Sequence, residues 1–303
     1  MNAHKAGVQP SPCAGSRRRI AGILRGQATS DGDGVRLTRI IGGPQLDMLD
    51  PFLLLDAFES DRPDDYIGGF PTHPHRGFET VTYLLAGRMR HADSAGNSGV
   101  IEPGGIQWMR AGSGILHSEM PEQQDGLLYG FQLWVNLPAA DKMSAPGYQE
   151  LPAAAIPREQ HDGLDTRVIT GTTRLGTTGP VTGVPTDPLY LDVRLTKDAL
   201  FTQPVPDSHN ALVYVIAGEL EGPSAASRDP QSIPAKHLAI LSGEGVIELR
   251  ASEDSRMLVI AGRRLNEPVA RGGPFVMNTR EEVLQAFHDY SSGTLVISPV
   301  GSH

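Results

Sequence analysis

"VTYLLAGRM", residues 81–89, returns in altered form as "LVYVIAGEL", residues 212–220, and this echo decides how the chain folds. Tyr83 falls on Tyr214 and Gly87 on Gly218, a step of 131 residues. The same step carries Gly112 and Gly114 of "AGSGIL" onto Gly243 and Gly245 of "SGEGVI". Two similarities at one spacing imply a duplicated domain. Around them run short or alternating apolar stretches: "GVRLTRIIG", "GVIEPGGIQWM", "YGFQLWVNL", "PLYLDVRLT", "KHLAILSG" and "RMLVIAG". Glycine, proline, asparagine or aspartate bounds most of them, which is the pattern of strands joined by turns. The reading is all-β. Antiparallel strands that need cover on both faces give two barrels or sandwiches, one per half.

Length and composition agree. The chain has 303 residues, enough for two cores of ordinary size, with 35 glycines and 24 prolines to make turns. Its net charge of −9 argues against direct nucleic-acid binding, which draws on basic groups. A single cysteine, Cys13, excludes an intrachain disulfide and a cysteine-rich zinc site, and fits a reducing, cytoplasmic setting. No apolar segment reads as a signal peptide or a membrane span. Residues 1–18 are expected to be a disordered tail, with Arg17–Arg19 a solvated run at the domain edge. The first domain is placed at 19–137 and the second at 161–303. Between them, 138–160 is rich in proline and alanine and reads as a connection with one short helix. A clearer helix lies in "NTREEVLQAFHDYSSG". Thr279 and Glu282 have capping-box spacing, Val283, Leu284, Phe287 and Tyr290 suit one face, and Gly293 lies just beyond.

The chemistry gathers in the first half. In "GGFPTHPHRGFETVTYLLAG", residues 68–87, His73 and His75 stand at i and i+2, so a strand aims both imidazoles at one point. Pro74 between them marks an edge or irregular strand. In "GSGILHSEMP", residues 112–121, His117 and Glu119 have the same spacing. Three imidazoles and a carboxylate converging in one barrel would hold a single Fe, Ni, Cu, Zn or Co ion. Four protein ligands leave two octahedral positions open. The step of 131 puts Pro204, Pro206, Glu248 and Arg250 opposite these four residues. The scaffold is duplicated and the polar cluster is not, which assigns the site to the N-terminal half. Glu79 continues the parity of 73, 75 and 77. It reads as an alternative carboxylate ligand, as a group behind the ligands, or as a buried partner of Arg76 or Arg90. His91 and Asp93 are read as hairpin-loop residues and Trp108 and Met109 as core. Met120 and Phe131 are candidates for an apolar pocket wall.

These residues are familiar. "HPHRGFETVTYLLAGRMRHADSAGN", "PGGIQWMRAGSGILHSEMP", "GFQLWVNLPAADKM" and "GPFVMNT" resemble the pirin family of the cupin superfamily, from about Arg19 to about Tyr290. The resemblance implies a bicupin: two stacked antiparallel jelly-roll barrels with a short C-terminal helix and a metal in the first barrel. It selects His73, His75, His117 and Glu119 as ligands and leaves Glu79 unligated. It implies a divalent ion, usually iron as Fe(II), with Ni, Cu, Co, Zn or Mn as other occupants. For activity it implies quercetin 2,3-dioxygenase chemistry on a flavonol-like aromatic and dioxygen. A monomer is expected, and Glu119 is the carboxylate best placed to take the hydroxyl proton once it swings off the metal. The alternative it offers is a metal- or redox-dependent regulator acting through protein partners. No further catalytic cluster supports an isomerase or a hydrolase.

Overall fold

A computed structural model describes residues 16–296, so Cys13 and most of the expected N-terminal tail lie outside the described residues, as does the segment 297–303. Each half forms one seven-stranded and one four-stranded antiparallel sheet. In the first half the large sheet runs in the order Gly147–Leu151, Ile106–Arg110, Phe78–Ala86, Leu128–Asn136, Phe52–Ser60, Val35–Ile41, Gln27–Asp31. The small sheet runs Phe70–His75, Ile115–Pro121, Met89–Asp93, Ser98–Ile101. In the second half the small sheet has the matching order Leu200–Val205, Gly245–Ala251, Glu219–Pro223, Pro230–Pro234. The central strands Phe78–Ala86 and His209–Ala217 are related by the expected step of 131 at both ends. Gly87 and Gly218, with φ of +81° and +78°, turn the chain at the same point.

Strand alternation sorts the cores. From Phe78–Ala86, Val81 and Tyr83 face the other half, while Leu84 faces inward. The two large sheets meet over Tyr83, Trp108 and Phe131 on one side and Tyr190, Tyr214 and Leu258 on the other. A buried polar lock crosses this seam: the Tyr83 hydroxyl donates to Asp192 at 2.6 Å, and Asp192 accepts from Arg256. The second barrel is filled by Leu191, Val193, Val205, Phe201, Ile247 and Leu249 among others. The first barrel has a smaller interior cluster around Leu37, Phe58, Tyr66 and Leu84, and beside it a cavity.

The two halves trade their ends. Arg19–Arg25, expected in the first domain, pairs with His237–Ser242 and joins the large sheet of the second. Its approach is ordered too: the Arg18 amide donates to the Val246 carbonyl at 2.8 Å and its guanidinium to the Pro206 carbonyl at 2.8 Å, with only 2% of the residue exposed. Residues 16–18 therefore correct the tail reading. In the other direction, residues 270–295 leave the second barrel and cover the first. Phe275 bridges to Arg76, and Val276 packs with Leu53 and Phe78. The expected connection at 138–160 also does more than join. Gly147–Leu151 adds an edge strand beside Ile106–Arg110, and Arg158–His161 opens the second large sheet; the helical turns there are two short 3-10 pieces. The C-terminal helix spans Arg280–Ser291 with the expected Thr279–Glu282 capping box. Its buried face is Val283 and Ala286, whereas Leu284, Phe287 and Tyr290 remain exposed, a rotation of the expected face.

Candidate metal centre

His73, His75 and His117 come together, with one ring nitrogen from each within 4.8 Å of the others. Their ring centroids lie 4.4–4.9 Å apart. The ladder explains the meeting. His117 stands directly opposite His73, and His75 shares the face of His73 two residues on. The register slips between His117 and Glu119, so Glu119 stands opposite Phe70. Glu119 is buried on the cavity wall that it shares with His73 and His75, outside the close cluster of the three histidines. Its Oε1 accepts from Thr82 at 2.6 Å and its Oε2 from the Gln132 amide at 2.9 Å.

The cluster suits a cation. His73 Nδ1 lies 2.8 Å from the Pro71 carbonyl and His75 Nδ1 lies 3.3 Å from the Pro274 carbonyl. A carbonyl only accepts, so both Nδ1 atoms carry a proton and the Nε2 atoms are left for another partner. Those two Nε2 atoms face each other at 3.0 Å. Both nitrogens of His117 are buried without a partner among the described residues. Burial, reinforced by the charge of His73, lowers His75 to about 3, and burial holds His117 well below the usual imidazole range. Buried imidazole nitrogens converging on one point are what a divalent transition ion requires.

Behind the ligands the reading changes at several residues. Glu79 leaves the site: Gly77, at φ +89°, breaks the parity between Phe70–His75 and Phe78–Ala86. Glu79 therefore faces the opposite side and accepts from Trp108 Nε1 at 3.1 Å and Arg110 Nε at 3.0 Å. Neither Arg76 nor Arg90 is its partner. Arg76 pairs with Asp289 and Arg90 with Glu122. His91 and Asp93 close the Met89–Asp93 strand and are not in a loop. His91 is fully buried, 5.4 Å from the His117 ring, bonded to Asp93 at 3.2 Å and stacked on Tyr148. Trp108 and Met109 are core residues as expected. Phe131 lies in the seam between the halves, against Tyr214, and so does not line the cavity; Met120 is absent from the wall as well.

His73 and His75 open into a cavity of about 840 Å³. Leu37, Leu54, Phe58, Phe70 and Trp134 supply its apolar wall. Arg39 and Asp56 form a bidentate pair in it, at 3.0 and 2.8 Å, and burial still raises Asp56 to about 6. Arg271, Gly273 and Pro274 bring the exchanged C-terminal arm into the same wall. Sequence spacing gives no hint of these arm residues, since about 200 positions separate Pro274 from His75. Thr82 and Gln132 did leave a signal: each is a polar residue two positions before an apolar one on the same face, Leu84 and Trp134.

The second barrel lacks the cluster, for a sharper reason than the step of 131 implies. Within the small sheet the ladders align at a step of 130. His117 opposite His73 corresponds to Ile247 opposite Gln203, and Ile115 opposite His75 to Gly245 opposite Val205. The equivalents of His75, His117 and Glu119 are thus Val205, Ile247 and Leu249, which are core residues. Glu248 and Arg250 face the other way.

The pirin family model matches residues 34–135, and the model of the pirin C-terminal cupin domain matches 190–296. A pirin-like protein of Caulobacter vibrioides is 53% identical over 277 residues, covering 91% of this chain and 98% of that one. The pirin of Homo sapiens is 45% identical over 282 residues, covering 91% and 93%. The crystal structure of a quercetin 2,3-dioxygenase from Acinetobacter baumannii superposes with a TM-score of 0.82 at 34% identity, covering 92% and 99%. With both barrels matched and relatives aligned along nine-tenths of its length, the chain is a bicupin and belongs to the pirin family.

Proposed function

We propose that the first barrel is a metal-dependent dioxygenase site that opens the ring of a flavonol such as quercetin. One observation carries the reading: three clustered imidazoles, two of them on the wall of a cavity large enough, and apolar enough, for a multi-ring aromatic. The dioxygenase title of the Acinetobacter structure supports it. His73, His75 and His117 would hold the ion, proposed as Fe(II), and Glu119 would serve as the fourth ligand when it turns from Thr82 and Gln132. A divalent ion there supplies Lewis acidity to a bound hydroxyl and a route for electrons to dioxygen. The chain's own residues do the rest. Trp134, Phe58 and Leu54 present flat apolar surface to the rings and exclude water. Glu119 takes the proton of the flavonol 3-hydroxyl, and Gln132 and Thr82 hold its carboxylate in place for that transfer. A cytoplasmic location and a monomeric state complete the reading; among the described residues no helix is long and apolar enough to cross a membrane.

The test is direct. The full chain, loaded in turn with Fe(II), Ni(II), Cu(II) and Co(II), is given quercetin in air. Loss of the flavonol absorbance with release of carbon monoxide is the expected result. No turnover with any metal, together with capture of a protein partner that depends on the metal's oxidation state, would replace the enzyme with a regulator.

A further inference from the structure

The charges on the cavity wall are nearly all spent. Arg39 gives Nε and Nη2 to Asp56 and Nη2 also to Asp31. Glu119 has both oxygens bonded. Arg271 is different. It stands on the short strand Ala270–Gly272 of the exchanged arm, and among the described residues no carboxylate lies within 4.0 Å of it. Asp47, the remaining acid of the wall, is outside that range. One guanidinium hydrogen bond is used, from Nη1 to the Leu53 carbonyl at 3.2 Å. The guanidinium lies over the Trp134 ring, 5.2 Å from its centroid, and the His75 and Trp134 ring centroids are 5.2 Å apart. His75 and the Arg271 guanidinium thus both border one indole, and His73, His75, Trp134 and Arg271 line one cavity.

From these observations we infer that Arg271 is a specificity-determining residue, which selects aromatics carrying an acidic oxygen beyond the metal-binding group. The inference rests on the dioxygenase reading for the orientation of the substrate. An aromatic whose metal-binding oxygens meet His73, His75 and His117 enters the cavity that Arg271 also lines. Its acidic oxygen then meets the four N–H donors that Arg271 has left. A guanidinium fork recognises a carboxylate, or a catechol oxygen that has lost its proton, by paired charge-assisted hydrogen bonds. An uncharged oxygen leaves the cation unpaired and binds less tightly. Because Arg271 comes from the second half of the chain and the ligands from the first, the exchange of ends is what places recognition opposite chemistry.

The test uses two probes with the same metal-binding end: 3-hydroxyflavone bearing a 4′-carboxylate and the same flavonol bearing a 4′-carboxamide. The protein is the full chain loaded with Zn(II), which binds without turnover. Trp134 reports binding by fluorescence quenching, since the other tryptophan, Trp108, is buried in the seam. The carboxylate is expected to bind about tenfold tighter than the carboxamide. That ratio should fall to about one in Arg271→Met and persist in part in Arg271→Lys. A ratio near one in the unaltered protein, or a ratio that survives Arg271→Met, overturns the assignment. Zinc-loaded binding is independent of ring cleavage, so the two readings fail separately. Flavonol turnover by the Fe(II) form with a ratio of one removes only the role of Arg271. A tenfold ratio without turnover by any metal removes only the dioxygenase.

Discussion

At the scale of single residues, the two duties proposed for Glu119 can be separated by mutation. Glu119→Gln keeps the size and one acceptor oxygen but cannot take a proton. Loss of a positioned base costs about 100-fold or more in turnover, whereas metal content should fall far less, because three imidazoles remain. Steady-state rates beside elemental analysis of the same preparation check this; equal losses would make the carboxylate a ligand alone. The histidines were legible because their spacing is a statement about parity: i and i+2 share a face in any strand. Glu79 obeyed the same arithmetic and misled it. One glycine at positive φ, Gly77, flips the count, and no alternation rule contains that flip. The match of His117 with Glu248 failed for a related reason, a single-residue change of step between the ladders of the two halves.

At the scale of elements, the strand Phe70–His75 is short, interrupted by proline, and tied down from outside. Gly77 closes it, and a side chain there would place its Cβ 2.0 Å from the Val276 carbonyl oxygen. Gly77→Ala should therefore destabilise the fold by about 3 kcal/mol, through both the left-handed backbone and the clash. It should also loosen the arm from Lys142, whose buried ammonium donates to Gly77 and Val276 alike. Urea unfolding followed by metal titration measures both effects. The C-terminal helix shows how far local signals reach. Its start is written in the capping box and could be read, since that bond is made within four residues. Its buried face depends on which barrel it covers, and the barrel is not its own. Phe287 accordingly remains half in solvent with its ring edge against Phe275.

At the scale of the whole molecule, the duplicated architecture was legible and the exchange of ends was not. A repeat records which strands are homologous, but pairing across 200 residues leaves no periodic trace. The exchange is held by a specific contact, the Arg76 guanidinium against Asp289 at 2.6 Å, with Arg76 only 4% exposed. Asp289→Ala would leave that cation buried with the Ser113 carbonyl as its remaining side-chain partner, and should cost about 2 kcal/mol. The pH dependence follows from the same pair. Arg76, first among its causes, holds Asp289 below the usual carboxylate range. A depressed carboxylate stabilises the fold above its unfolded value of about 3.9, and that stability is lost as pH falls through the lower folded value. Thermal melts from pH 7 down to pH 2 should therefore show a shallower acid limb in Asp289→Ala than in the unaltered chain.

The traded ends also set an order of events during synthesis. A nascent chain that has not reached residue 270 already holds all three imidazoles, yet His75 has no Pro274 carbonyl to orient its ring, and Arg76 and Lys142 have no arm to bind. The first-made barrel therefore waits on residues 270–295 for its finished wall. A product stopped before residue 270 would carry the three imidazoles without the arm that orients them.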